Sequence, residues 1–161
     1  MTIQVGDRLP AVSLRQLTPD GIKNVPITDL TKGKKVVLFA VPGAFTPTCS
    51  EKHLPGFVEQ ADAIKAKGVD AILCVAVNDP FVVGAWEKAR NVGGKVSMLS
   101  DGNAEFTRAL GLDFDGSGVG LGTRSKRYAM IVDDGVVKAL MVEDAPAQAE
   151  KSSASAVLAA L

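Results

Sequence analysis

Histidine and tryptophan occur once each, cysteine twice, and aromatic residues make up only 5% of the 161 positions. Each scarcity closes a route. One histidine and two widely separated cysteines cannot supply a zinc ligand set, a disulfide framework or a CxxC pair, so neither metal nor cofactor is expected. Lysine plus arginine (18) balances aspartate plus glutamate (18), which leaves no basic field for nucleic acid or an anionic membrane. No apolar run approaches the roughly 20 residues that span a bilayer. The opening stretch "MTIQVGDRLPAVSL" has neither the charged and apolar blocks of a secretory signal nor the Arg/Ser-rich amphipathic character of a transit peptide. A soluble, cytoplasmic protein with free thiols is expected.

What is present is a globular composition, 47% apolar and 22% charged. A chain of this length is expected to form one domain, 1–161, burying roughly two thirds of its unfolded surface. Strand character marks 34–41, 69–77, 95–99, 127–134 and 136–142, and the first two are nearly continuous apolar runs, as in strands covered on both faces. Helices are predicted over 49–66, 79–91, 103–110 and 150–161. The alternation predicts an α/β fold with a mixed central β-sheet flanked by helices, because Asp134-Gly135 signals a hairpin that turns the last strands antiparallel. In the first helix Leu54, Phe57, Ala61 and Ile64 form a core-facing stripe, Pro55 predicts a kink and Gly68 a stop. The stretch "DFDGSGVGLGTRSKR" fits no phosphate-binding pattern and reads as a mobile surface loop.

The chemistry gathers at "VPGAFTPTCSEKHLPGF", where Cys49 follows a Pro/Gly/Thr turn at the expected start of a helix. Thiols react as thiolates, and a helix first turn favours an anion through its unpaired N–H groups and dipole. Ionisation alone is a small gain. Taking a thiol from a pKa of about 8.5 to about 6 raises the thiolate fraction roughly 30-fold at neutral pH, but costs about tenfold in intrinsic nucleophilicity, leaving about threefold. A fast reaction therefore needs donors aimed at charge developing on the leaving group. The Thr46 hydroxyl is expected to donate to a bound oxygen while accepting from elsewhere, and Pro42 to close over the sulfur.

The run Pro42 to Cys49, "PGAFTPTC", resembles the P-x-x-x-T/S-x-x-C motif of peroxiredoxins. "CSEKHLPGF", "VNDPFVVGAWEKA", "LSDGNAEFTRALGL" and "RSKRYAMIVDDGVVKALMVE" are similar to the type II, or number-five, subfamily across most of the chain. The resemblance implies a thioredoxin-like fold and a thiol peroxidase. Cys49 matches the peroxidatic cysteine, Thr46 the hydroxyl that holds the peroxide and Pro42 the shield, with Thr48 beside it as a further substrate-binding position. An arginine from a later strand is implied at the sulfur; the context "KRYAM" points to Arg127, with Arg124 in the glycine-rich stretch as its rival. A guanidinium suits the place because it stays charged and offers several donors in one plane. Hydrogen peroxide and alkyl hydroperoxides are the implied substrates, and a homodimer the implied assembly. Unwinding of 45–52 would expose the oxidised sulfur.

The C-terminal stretch "EKSSASAVLAAL" has no thiol, so no resolving cysteine is available there. Cys74, in "AILCVAV", reads as a small buried core residue, too far inside a strand for a bridge to Cys49 without rearrangement. A one-cysteine cycle is expected, reduced by glutaredoxin with glutathione or by thioredoxin. His53 shares a helix face with Cys49, but no orienting group or oxyanion hole for a proteolytic pair is visible, and it reads as a polar residue packed beside the site or at a subunit boundary. Trp86 reads first as helix packing and second as a dimer contact. The alternative to an enzyme is a redox-sensing interaction protein in which oxidised Cys49 alters a binding surface.

Overall fold

The computed structural model describes residues 2–161. Seven strands form one mixed sheet: β1 (Ser13–Thr18), β2 (Gly21–Pro26), β3 (Lys35–Val41), β4 (Ala71–Ala76), β5 (Ser97–Ser100), then β8 (Tyr128–Asp133) and β9 (Val136–Val142), in the order β2-β1-β5-β4-β3-β8-β9. The centre, β3, β4 and β5, is parallel, and β1 and β8 join it antiparallel on either side. β3 and β4 are almost wholly apolar because both faces are covered. One face carries a core with Phe39, Phe57, Ile64, Trp86 and Val157, the other a core with Leu14, Leu38, Phe106 and Leu110. Helices α2 (Leu54–Glu59), α3 (Ala61–Lys65), α4 (Pro80–Ala89) and α6 (Ala154–Ala160) supply the first; α1 (Ile27–Thr31) and α5 (Glu105–Leu110) supply the second. The β8–β9 connection is the expected Asp134-Gly135 turn, with both residues at positive φ.

Besides the short helix α1, which has no counterpart among the expected helices, three elements differ from the sequence-based expectations. The β1–β2 hairpin was not foreseen: it lies at the sheet edge, where β2 is largely exposed and offers little hydrophobic alternation. The stretch read as a loop holds a second small sheet, β6 (Asp113–Asp115) with β7 (Thr123–Ser125). Its connection is tightened by Asp115 accepting from the Ser117 N–H, with Gly120 and Gly122 at positive φ. The expected helix over 49–66 is three pieces. Cys49–His53 is a π-helical turn in which the Leu54 N–H reaches the Cys49 carbonyl, followed by α2, then α3 after a break at Gln60. Pro55 has no N–H to return to the preceding turn, and the widened turn before it accommodates that loss.

The π turn is held from α4, where Trp86 is fully buried and donates its indole N–H to the Ser50 hydroxyl at 2.9 Å. Packing is thus its role, and no Trp86 surface remains for a dimer contact. Trp86→Phe leaves the buried Ser50 hydroxyl without this donor and is expected to cost about 1–3 kcal/mol, measured as the free energy of urea unfolding. A change of only a few tenths would show that the bond does not anchor the turn.

Candidate active site around Cys49

Strand β3 delivers the chain to a tight turn, 42–48, closed by backbone and side-chain bonds. The Thr46 hydroxyl donates to the Gly43 carbonyl at 2.6 Å, the Ala44 N–H donates to Asn78 Oδ1 at 2.9 Å, and the Ser50 N–H donates to the Thr46 carbonyl at 3.0 Å. Phe45 takes a positive φ of 65°, the cost of folding this loop back so that Cys49 opens the π turn. The thiol is fully buried. With its proton on the Gly43 carbonyl, the Thr46 hydroxyl has its lone pairs left over as acceptors. Thr48 points elsewhere, donating to the Ala147 carbonyl at 3.3 Å.

Arg127, just before β8, brings its guanidinium to the sulfur, with Nη2 donating to Cys49 Sγ at 3.0 Å. Arg124 does not reach it. Arg124 lies across Gly43 and donates from Nη1 to the Pro42 carbonyl (3.2 Å) and from Nε to the Leu121 carbonyl (2.9 Å), so it steadies the turn from outside. A side chain at position 43 would push that guanidinium aside, so the glycine leaves room for the Arg124 bond to Pro42. The choice between the two arginines was legible in principle. Ala129 and Ile131 face the Cys49 core and Tyr128 and Met130 the opposite one, so strand alternation puts position 127 on the Cys49 side.

The remaining Arg127 donors show what sequence reasoning missed. Nε donates to the Pro146 carbonyl at 3.0 Å and Nη1 to His53 Nδ1 at 2.9 Å. Because arginine only donates, Nδ1 must be the acceptor; Nε2 then carries the hydrogen, donated to the Ser152 carbonyl at 2.8 Å. The ring stands edge-on to Phe39 and Phe57. Burial first, and the Arg127 charge second, push the His53 pKa down from 6.5 to about 4, so the ring is neutral and does not act as a base toward Cys49. The segment 144–149, which supplies Pro146 and Ala147, carried no periodic signal and no motif, and Ser152 fell within the helix expected over 150–161 but lies just ahead of the observed α6. Cys74 is buried on β4 opposite Phe39, and burial, with Cys49 nearby, pushes its thiol well up.

A family model described as Redoxin matches residues 4–158. The chain is 56% identical to "Peroxiredoxin-2E-2, chloroplastic" of Oryza sativa subsp. japonica, covering 99% of this chain and 73% of that protein. It is 52% identical to "Peroxiredoxin-2E, chloroplastic" of Arabidopsis thaliana, covering 99% and 70%. Among solved structures, reduced Prx3 of Vibrio vulnificus in complex with hydrogen peroxide is 56% identical, with a TM-score of 0.94 over 99% of both chains. The chain belongs to the redoxin family and, within it, to the type II peroxiredoxins, which are antioxidant thiol-dependent peroxidases.

The neutral His53 makes stability depend on pH with a definite sign. Its folded pKa lies below the unfolded value, so from about 6.5 down to about 4 the unfolded chain takes up a proton that the folded protein refuses. Stability present at neutral pH is lost over that window, by about 3 kcal/mol in total. Urea unfolding at neutral pH and at about pH 4.5 should show a smaller loss for His53→Gln than for wild type. Equal losses would place the titration elsewhere.

Proposed function

We propose that Cys49 is the peroxidatic nucleophile, with Arg127 and Thr46 holding the hydroperoxide and Pro42 shielding the sulfur. The observation that carries this reading is the 3.0 Å contact from Arg127 to Cys49 Sγ, made where the guanidinium is only 2% exposed. A buried cation needs a counter-charge, and the ion pair found among the described residues joins Lys151 to Asp144 instead. The sulfur is the group in contact with Arg127 that can carry the negative charge.

The sulfur attacks the terminal oxygen of a hydroperoxide; an S–O bond forms, the O–O bond breaks, and the leaving oxygen takes up a proton as water or alcohol. Cys49 is oxidised to sulfenic acid and the peroxide is reduced. Arg127 has five N–H donors and three are used, which leaves one on each terminal nitrogen for the peroxide oxygens as charge moves from sulfur to the leaving group. Thr46 accepts from the peroxide O–H while its own proton stays on Gly43.

The sulfenic acid is returned to the thiol by an outside thiol, from glutaredoxin with glutathione or from thioredoxin, in a reducing compartment such as the cytoplasm. Support comes from Cys74, the other cysteine, being mid-strand and fully covered. The buried position of Cys49 requires the turn to open for that exchange. We also infer a homodimer. Phe45, Phe81 and Val119 are 52%, 63% and 79% exposed, on segments tied together through Asn78 and Arg124.

With a glutaredoxin or thioredoxin system supplying electrons, wild type should consume many peroxides per Cys49 and Cys49→Ser none. Consumption that stops at one per Cys49 would favour the redox sensor. Arg127→Gln should slow the single-turnover step by about 100-fold or more, and Arg124→Gln by much less; equal rates for wild type and Arg127→Gln would sink the role given to Arg127. In sedimentation velocity the wild type should run as a dimer and Phe81→Asp should shift toward monomer, whereas a monomeric wild type would refute the assembly.

A further inference from the structure

Arg127 is held by a closed ring of hydrogen bonds that runs outside the P-x-x-x-T-x-x-C motif. Its backbone carbonyl accepts from the Glu143 N–H at 3.0 Å, which extends the β8–β9 pairing by one step. The Glu143 side chain turns back under the site and accepts both the N–H (2.6 Å) and the hydroxyl (2.5 Å) of Ser152. Ser152 gives its carbonyl to His53 Nε2, and His53 Nδ1 receives Nη1 of the same arginine whose backbone began the ring. All four residues are buried: Ser152 fully, Arg127 and His53 at 2% and Glu143 at 7% exposure.

The chemistry at each link fixes the next. Burial raises the Glu143 pKa, but the Ser152 hydroxyl and amide outweigh it, and the carboxyl lies below its ordinary value, ionised at neutral pH. An ionised carboxylate accepting two hydrogen bonds locks Ser152 in place. The Ser152 carbonyl can then only accept, which forces the hydrogen onto His53 Nε2 and leaves the Nδ1 lone pair for arginine. If Ser152 moved, the ring could adopt the other tautomer, whose Nδ1–H opposes the guanidinium donor.

We propose that Glu143 is a positioning residue for the peroxidase reaction, acting through Ser152 and the His53 tautomer to fix the Arg127 guanidinium against Cys49. The inference rests on the reading of Arg127 given above. It assigns the segment between β9 and α6 a part in the chemistry, although none of its side chains touches the sulfur.

The test uses the full-length protein, with hydrogen peroxide as the probe. There is one histidine, so its side-chain nitrogen signals in long-range nitrogen–proton NMR spectra belong to His53 without further assignment. Wild type should show the pure Nε2–H tautomer. Glu143→Ala should show exchange between tautomers, with a single-turnover rate lower by about tenfold, the lower end of the loss typical of a support residue one layer out. Glu143→Gln keeps an acceptor for Ser152 and should recover most of the rate and the tautomer; it also serves if the alanine variant does not fold. A Glu143→Ala protein that loses thermal stability but keeps the wild-type tautomer and rate overturns the proposal. So does a slowed variant whose tautomer is unchanged, since the route through His53 would then be wrong. If Arg127→Gln reacted like wild type, the reading of Arg127 would fall, while the tautomer result would still report on the ring.

Discussion

A guanidinium cannot give up its proton, so once Arg127 is covered its charge must be answered from within the protein. Among the described residues no carboxylate pairs with it. Its bonds go to a backbone carbonyl, an imidazole nitrogen and the Cys49 sulfur. Two of these partners are neutral and stabilise the cation as dipoles. The third is a sulfur, the one partner of the three whose chemistry includes an anionic form. Replacing the imidazole by a carboxylate would satisfy the arginine at the sulfur's expense. The neutrality of His53 therefore leaves the cation unmatched on that side, with the sulfur as its remaining side-chain partner.

The architecture keeps that balance by bringing distant pieces together. Cys49 comes from the exit of β3 and Arg127 from the entrance to β8, and these strands are antiparallel neighbours in the sheet. The sulfur and the guanidinium, 78 positions apart in sequence, meet at one end of a rigid strand pair. The outer wall comes from the chain after β9, which crosses the same end and leaves Pro146, Ala147 and Ser152 carbonyls facing inward. Backbone acceptors suit this wall, because they stabilise a cation without competing for its charge.

How far the sequence could be read follows from the same physics. β3, β4 and β8 fell within one or two residues of their expected limits because strands buried on both faces leave continuous apolar runs, and β9 was bounded by the Asp134-Gly135 turn before it. The edge hairpin β1–β2 and the small β6–β7 sheet bury too little to leave such a pattern. At the site, Pro42, Thr46 and Cys49 lie within one turn and were legible as a group. The bond from Thr46 to the Gly43 carbonyl was not legible, because it is a matter of turn geometry rather than residue type. The contributions of Glu143, Ser152 and Pro146 were invisible, since two of the three contacts they make around His53 and Arg127 are through main-chain carbonyls, to which the side-chain alphabet is blind.

The π turn at 49–53 has a further consequence, one of length. Five residues cover about 7.5 Å along a helix axis and about 16 Å when extended. With β3 fixed in the sheet and α2 fixed in the core, the segment between them holds several ångströms of slack that can be let out without disturbing either. The wound form holds the sulfur in the interior, and the length of the segment is enough to reach the surface if it were extended. One short segment thus has the length for two environments, a dry one and a wet one, while the sheet that carries it stays still.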